Sequence, residues 1–392
     1  MFQLASDPKT PLGRYRVLSS TAGVRVSPLC LGAMSLGDGA WADNMGSIDR
    51  AGSMALLDAF REAGGNFIDT ASNYQDEESE RVIGEWMEER GCRDEMVVAT
   101  KYSCDWRSHV VGKGGRAVNF AGNSRKNLHL CARASLEKLR TGYIDILYVH
   151  LWDWTTSVAE VMDSLHALVE QGKVLYLGVS DTPAWIVAAA NAYAATNGKT
   201  PFSVYQGRWN VMRRDFEREV IPMARHYGMA LAPWDVLAGG KFQTREQVEE
   251  RAKGGEALRQ TLSKADGDIR FTHDQSDAEV AVSERLHEVA RELGADVTVQ
   301  QVALAYVMHK AIDVFPIVGG RKVEHLRSNI RALELRLSEE QIARLEAVGG
   351  FSLGFPMDLI GDDPRVTGKN GFILETVAKV DWPTPQKPVG MR

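Results

Sequence analysis

Cysteine is scarce. Cys30, Cys92, Cys104 and Cys131 stand far apart, with no C-x-x-C pair. Such spacing supplies neither a zinc site nor a disulfide framework, and the apolar neighbours suit reduced, structural thiols. No stretch approaches the roughly 18 consecutive apolar residues of a membrane span, and the opening MFQLASDPKTPLGRYRV lacks the apolar centre of a secretory signal. A cytoplasmic protein with no membrane partner is the expectation. Excess positive charge is missing as well: 46 Lys and Arg against 52 Asp and Glu leave a net charge of −6, which argues against a nucleic-acid partner. Nor does a strict G-x-G-x-x-G follow any early strand, so a doubly wound dinucleotide fold is not indicated.

What is present is a regular alternation. Eight short β-rich runs occur: LCLGAM, NFIDTA, MVVATK, DILYVH, VLYLGVS, FSVYQ, MALAPW and DVFPIVGG. Between them lie stretches of helical period such as SMALLDAFREAGG, SERVIGEWMEERG, NLHLCARASLEKLR, VAEVMDSLHALVEQG and PAWIVAAANAYAATNG. Eight strand and helix units in alternation predict an α/β fold of the (β/α)8, or TIM, barrel type. The expected organisation is one domain over residues 1–392, with a core of about residues 24–345. RYRVLSS and GVRVSPL predict a small hairpin that closes the barrel bottom. Three segments interrupt the alternation: 102–123 and 238–276, which follow the third and seventh strands as rim loops, and a polar tail at 349–392. The sequence leaves open whether 238–276 is ordered without a ligand.

In this architecture chemistry collects where strands end. The strand ends carry Asp69, Lys101, His150, Ser180, Gln206 and Trp234, with Tyr74 five residues beyond Asp69. A free phenol titrates near pH 10, too high for efficient proton transfer at neutral pH. A neighbouring ammonium stabilises the phenolate, so Lys101 is expected to act on Tyr74, Asp69 to hold Lys101 charged, and His150 to hydrogen-bond a substrate oxygen. Such a set can protonate an oxygen while a hydride reaches the adjacent carbon. Taken singly, an Asp–Lys pair at a barrel rim or a strand-end His is often only structural. Four compatible groups on one rim weigh more. A lysine held charged by an acid is also a poor Schiff-base nucleophile. A metal-dependent hydrolase would need several His and carboxylates on neighbouring strand ends, and only Asp69 and His150 qualify, so no metal is expected.

The segment GGNFIDTASNYQDEESERVIGEW resembles the D-T-A-x-x-Y-x-x-x-x-x-E signature of the aldo-keto reductases. The resemblance continues through VVATK, YIDILYVH, KVLYLGVS, VYQGRWN and PIVGGRKVEHLRSNI, covering about residues 24–345. GGRKVEHL and the tail motif LGFPMDLIGDDPRVTG are similar to the fungal aryl-alcohol dehydrogenase and norsolorinic acid reductase-like group. The resemblance implies NADP(H) lying across the strand ends, with Asp69, Tyr74, Lys101 and His150 as the catalytic tetrad. It places the nicotinamide end on Asp69, Ser180, Asp181 and Gln206, with Trp234 stacking on the ring. It places the pyrophosphate under Asp235, Val236, Leu237, Ala238, Gly239, Gly240 and Lys241. It places the adenosine end on Gly319, Gly320, Arg321, Lys322, His325, Ser328 and Asn329. Independently of the resemblance, Arg321 and Lys322 precede a helix start, where two cations suit the additional 2′-phosphate of NADP. Two departures stand out: Asp181 where the family commonly has Asn, and Trp234-Asp235 where Tyr-Ser is frequent. A carboxylate accepts from a carboxamide but cannot donate to it.

Aromatic residues crowd the rim loops. Trp41, Trp106, Trp152 and Trp154 are expected to join His150 around a planar aryl aldehyde or ketone, with Phe120, Phe351 and Phe355 nearby, while Trp86 and Trp185 lie on helices and are expected to pack. Two functions are therefore weighed. One is NADPH-dependent, reversible reduction of aryl or polyketide carbonyls with Tyr74 as proton donor. The other is an NADP(H)-binding regulatory barrel with little turnover, for which Asp181 is the sequence support.

Overall fold

Eight strands stand side by side in chain order around one ring, every neighbouring pair parallel. The structure is a computed structural model and describes residues 4–39, 41, 45–112, 114–253, 261–265, 268–272 and 275–388. A short antiparallel hairpin comes first, β1 (Arg16–Ser19) with β2 (Ala22–Val26). The ring then runs through β3 (Cys30–Gly32), β4 (Phe67–Asp69), β5 (Val97–Tyr102), β6 (Ile144–Val149), β7 (Val174–Ser180), β8 (Phe202–Arg208) and β9 (Ala230–Trp234). Its eighth member, Ile317–Gly319, pairs with β3. Just before that strand, Leu231 exchanges backbone hydrogen bonds with Asp313 and Phe315, which joins the two ends of the sheet.

Helices α1 (Arg50–Glu62), α2 (Glu78–Arg90), α3 (Arg125–Lys138), α4 (Val158–Glu170), α5 (Ala184–Thr196) and α6 (Val220–His226) connect successive strands. Side chains start several of them: Asp49 accepts from the Gly52 N–H, Ser124 from Asn127 and Ser157 from Glu160, each satisfying a donor the helix cannot. The segment predicted as a rim loop at 238–276 contains secondary structure of its own, helix α7 (Arg245–Lys253) and a hairpin of β10 (Thr261–Ala265) with β11 (Asp268–Thr272). Residues 254–260, 266–267 and 273–274 of that prediction lie outside the described residues. Helices α8 (Asp277–Leu293) and α9 (Val299–Lys310) follow, then β12 (Ile317–Gly319), α10 (Val323–Ile330) and α11 (Glu339–Glu346). Among the described residues no helix is long and apolar enough to cross a membrane.

Strand alternation decides what faces inward. Cys30, Phe67, Val97, Ala99, Ile146, Tyr148, Val204, Ala230, Ala232 and Phe315 form one buried cluster, which the hairpin residues Leu18, Ala22 and Val26 close from the bottom. Their strand neighbours Ile68, Val98, Leu147, Val179, Tyr205 and Leu231 belong instead to the larger cluster shared with the helices. The period of two, carried upward from Phe67, Ala99, Tyr148, Val204 and Ala232, brings Asp69, Lys101, His150, Gln206 and Trp234 to the interior face at the strand ends. Gly178 has no side chain for a steric reason, since a Cβ there would come within 2.5 Å of the Tyr148 ring that fills the interior.

Candidate active site

Lys101 is completely buried, and its ammonium makes three polar approaches: Asp69 Oδ2 at 2.6 Å, the Thr70 carbonyl at 2.7 Å and the Tyr74 hydroxyl at 3.5 Å. The other carboxylate oxygen, Oδ1, accepts from Gln206 Nε2 at 2.8 Å, so β4, β5 and β8 are tied together at the rim. Burial alone would lower the Lys101 pKa, but Asp69 and then Tyr74 outweigh it and leave the ammonium above its ordinary value. A buried charge held this way remains a cation at neutral pH.

Tyr74 differs from the sequence expectation. Lys101 does favour its phenolate, yet withdrawal of the hydroxyl from water is the larger effect, with Asp69 acting in the same direction, and the pKa lies above 10. Without a ligand the phenol therefore holds its proton throughout the neutral range. The His150 imidazole is driven well below its usual value, first by burial and then by the Lys101 charge, and it stands neutral. Its Nδ1 is buried and unbonded. A protonated phenol, a neutral imidazole and a fixed ammonium can together donate hydrogen bonds and a proton to one oxygen.

Tyr74 packs edge-on between Trp41 and His150, with ring centroids 6.0 and 5.9 Å away. The three residues after it, Gln75, Asp76 and Glu77, all adopt positive φ (50°, 53° and 80°). Left-handed backbone costs an L-residue about 1–2 kcal/mol, so such a run persists only when held by its surroundings. The Gln75 amide donates to the Met34 and Gly46 carbonyls and accepts from the Trp41 N–H, while the Trp41 indole donates to Asp76. Below lies a charge cluster that motif reading missed. Lys138 ion-pairs with Glu77 at 3.0 Å and Glu80 at 2.7 Å and donates to the Ser72 carbonyl, and Thr100 donates to Glu80. Arg107 reaches the second Glu77 oxygen at 3.1 Å. Glu80 is the acid of the signature; Lys138 had no sequence signal beyond a lysine at the buried end of a helix.

On the opposite side, Trp234 Nε1 lies 3.2 and 3.3 Å from the two Asp181 carboxylate oxygens, and Ser180 Oγ donates to the same group at 3.3 Å. Asp181 has positive φ (40°) and exposed surface at the rim, but crowding by protein lifts its carboxyl to about 6 in spite of those donors. Arg208 lies over the Trp234 ring and pairs with Asp235 at 2.6 Å. From Asp235 the chain turns sharply, with positive φ at Asp235, Ala238, Gly239 and Gly240. Leu237 is half-buried, whereas Val236 and Ala238 are buried and serve packing. The Lys241 side chain, too, is buried and pairs with Glu279 at 3.5 Å, directed into the protein. At the end of β12, Gly319 is exposed, followed by Gly320 and then exposed Arg321 and Lys322 at the start of α10. The Arg321 guanidinium lies against Gly46, where an added Cβ would come within 3.3 Å of Nη1. His325 is exposed, Ser328 accepts from Gln301, and Asn329 is buried.

The aromatic residues separate into two groups. Trp106 is buried, donates to Asn127 and meets Phe120 edge-on, so it packs its own loop from inside. Trp152 is partly buried against the main core. Phe351 lies under Arg214 and Arg218, and Phe355 is exposed. Trp86 is fully buried as expected, but Trp185, expected to pack, is 65% exposed beside Trp154 at 67%. It occupies the second position of α5, and helical period alone did not reveal that this face is left uncovered. Among the described residues no group of three His, Cys, Asp or Glu could hold a metal ion, and the four cysteines are unpaired thiols.

Comparison with known proteins agrees with this geometry. Residues 28–349 match the Aldo/keto reductase family. The chain is 57% identical to the putative aryl-alcohol dehydrogenase AAD14 of Saccharomyces cerevisiae, over 97% of this chain and 98% of that protein. It is 54% identical to the aryl-alcohol dehydrogenase [NADP(+)] of Phanerodontia chrysosporium, over 91% of each. It is 47% identical to the norsolorinic acid reductase of Aspergillus flavus, over 98% of this chain and 95% of that one.

Proposed function

The chain belongs to the aldo/keto reductase family, and from that premise we propose that it is an NADPH-dependent reductase of aryl or polyketide-type aldehydes and ketones, acting reversibly. The observation that carries the reading is the buried Lys101 ammonium, 2.6 Å from Asp69 and 3.5 Å from the Tyr74 hydroxyl. The relative from Phanerodontia chrysosporium bears NADP(+) in its name, and the donor set of this chain fits that group. Ser180 and Gln206 offer a hydroxyl and an amide at the strand ends. Gly239 and Gly240 turn with positive φ, which lets backbone come close to a pyrophosphate. Arg321 and Lys322 stand exposed immediately before the first turn of α10, where an additional phosphate is favoured.

NADPH, when bound, supplies the hydride. The protein's part is to place the carbonyl and protonate it. His150, neutral, orients the carbonyl oxygen by a hydrogen bond, and Trp41, edge-on to Tyr74, stands beside the proton donor. Tyr74 transfers its hydroxyl proton to that oxygen as negative charge develops there. The Lys101 ammonium stabilises the phenolate left behind, and Asp69 holds the ammonium in place. Oxidation of the alcohol runs the same proton path in reverse.

The test is loss of NADPH absorbance with a panel of aromatic aldehydes, with NADH measured alongside. Equal turnover by wild type and Tyr74→Phe would overturn the proton-donor assignment. The second reading, an NADP(H)-binding regulatory barrel, rests on Asp181 in place of a carboxamide. Tight NADPH binding with no turnover across the panel would favour it.

A further inference from the structure

Two indoles stand exposed where the barrel opens, and they meet. Trp154, 67% exposed, comes four residues after His150; Trp185, 65% exposed, comes four residues after Asp181. Their ring centroids are 6.4 Å apart and the planes are tilted by 41°, so neither ring covers the face of the other. Leu151, next to His150, adds a further exposed apolar side chain at 45%. The apolar surface is thus continuous in chain position with the two strand ends that bear the site.

Trp154 is held in this position against its own backbone preference. Its φ is +62°, in the left-handed region that a bulky residue rarely adopts. Asp153 imposes the turn: Oδ1 accepts from the Thr155 and Thr156 N–H groups at 2.9 and 3.1 Å, and Oδ2 from both threonine hydroxyls at 2.9 and 3.2 Å. The neighbouring rim segment locks it from the other side, with Asn123 N donating to Asp153 Oδ2 and Asn123 Oδ1 accepting from Asp153 N, each at 2.7 Å. Asn123 also donates to Ser103, whose hydroxyl accepts the His150 N–H. One hydrogen-bonded chain therefore links the turn that carries Trp154 to the backbone of His150.

We propose that Trp154 and Trp185 form a stacking ledge at the barrel mouth that receives the outer ring of an aromatic carbonyl substrate with two or more fused rings. The proposal rests on the reductase reading of the site and adds a substrate class to it. A rigid aromatic surface held open loses little conformational freedom when a planar ring settles on it. A second copy of the chain is a poorer occupant, because a stable interface needs about 800 Å² from each partner, far more than two rings and a leucine supply.

The experiment compares 2-naphthaldehyde with benzaldehyde, using NADPH and the full chain, for wild type, Trp185→Ala and Trp185→Phe. The naphthaldehyde-to-benzaldehyde KM ratio is expected to rise about five- to tenfold in Trp185→Ala, with the change in KM rather than kcat, and to return most of the way in Trp185→Phe. An unchanged ratio overturns the ledge. A change in oligomeric state by size exclusion for Trp185→Ala also overturns it, by giving the surface to a second copy. If wild type reduces neither aldehyde, the reductase reading fails, and equilibrium dialysis of 2-naphthaldehyde then decides the ledge: a five- to tenfold loss of binding in Trp185→Ala upholds it, and equal binding rejects it.

Discussion

Lys101 Nζ and Asp69 Oδ2 meet at 2.6 Å inside the barrel, with the lysine wholly buried. Removing one member of a buried pair leaves an uncompensated charge. Lys101→Met thus exposes Tyr74 to burial and to Asp69 with nothing opposing them, and the phenol becomes harder to ionise. A fall in kcat of about 10²- to 10⁴-fold is expected, with NADPH affinity changed much less. Stopped-flow single turnovers and cofactor titration separate the two.

The pH profile follows from the direction of the Tyr74 shift. A phenol raised above 10 keeps its proton at every lower pH, so carbonyl reduction should not decline between pH 7 and 9 through loss of the donor. His150, held neutral, should produce no break near 6.5. A kcat profile for aldehyde reduction that falls with a midpoint below 9 would contradict the assignment.

Crowding by protein lifts the Asp181 carboxyl to about 6. Below that value it is a carboxylic acid, able to donate as well as accept; above it, it only accepts. Asp181→Asn should therefore bind NADPH more tightly than wild type at pH 7.5, by about two- to tenfold for one hydrogen bond. The advantage should shrink as the pH falls to 5.5. Fluorescence titration of both proteins at the two pH values measures the ratio, and a ratio independent of pH rules out a role for this ionisation.

Arg321 and Lys322 bear on the choice between NADPH and NADH. Arg321→Ala is expected to weaken NADPH binding about tenfold, the scale of one charged hydrogen bond, and to leave NADH affinity where it was. Parallel titrations decide, and equal losses for both cofactors would move the 2′-phosphate elsewhere.

Lys138 lies between Glu77 and Glu80. Burial acts to lower its pKa, but the two acids, Glu80 first, raise it further. Lys138→Met should cost about 3–5 kcal/mol of stability by leaving buried carboxylates unpaired, and adding Glu80→Gln should recover part of that loss. Urea denaturation midpoints check both steps; a single variant as stable as wild type would show that the cluster does not hold the strained turn after Tyr74.

Much of this molecule is readable from local pattern. The spacing of β-rich runs and helical stretches specifies an eight-fold barrel, because each unit must bury one face against its neighbours. Parity then brings Asp69, Lys101, His150 and Gln206 inward from Phe67, Ala99, Tyr148 and Val204, since side chains on a strand alternate strictly. The signature beginning at Asp69 contains Tyr74 within a few residues, so the tetrad needed no long-range information to be nominated.

Other features depend on chain segments far apart in sequence. Trp106 is buried and Trp185 exposed, against expectation, because burial depends on what lies opposite: Phe120 and Asn127 enclose the first, whereas the second meets the ring of Trp154, itself exposed. Lys241 turned inward because Glu279, thirty-eight residues on, takes up its ammonium. The cluster of Lys138 with Glu77 and Glu80 joins residues about sixty positions apart. The protonation of Tyr74 belongs to this class as well, because residue types supply the ammonium and the acid but only the packed site sets how far water is excluded from the hydroxyl. Periodicity and motif carry local and alternating geometry; desolvation and partner choice arise when distant parts of the chain close over a group, and folding alone brings those parts together.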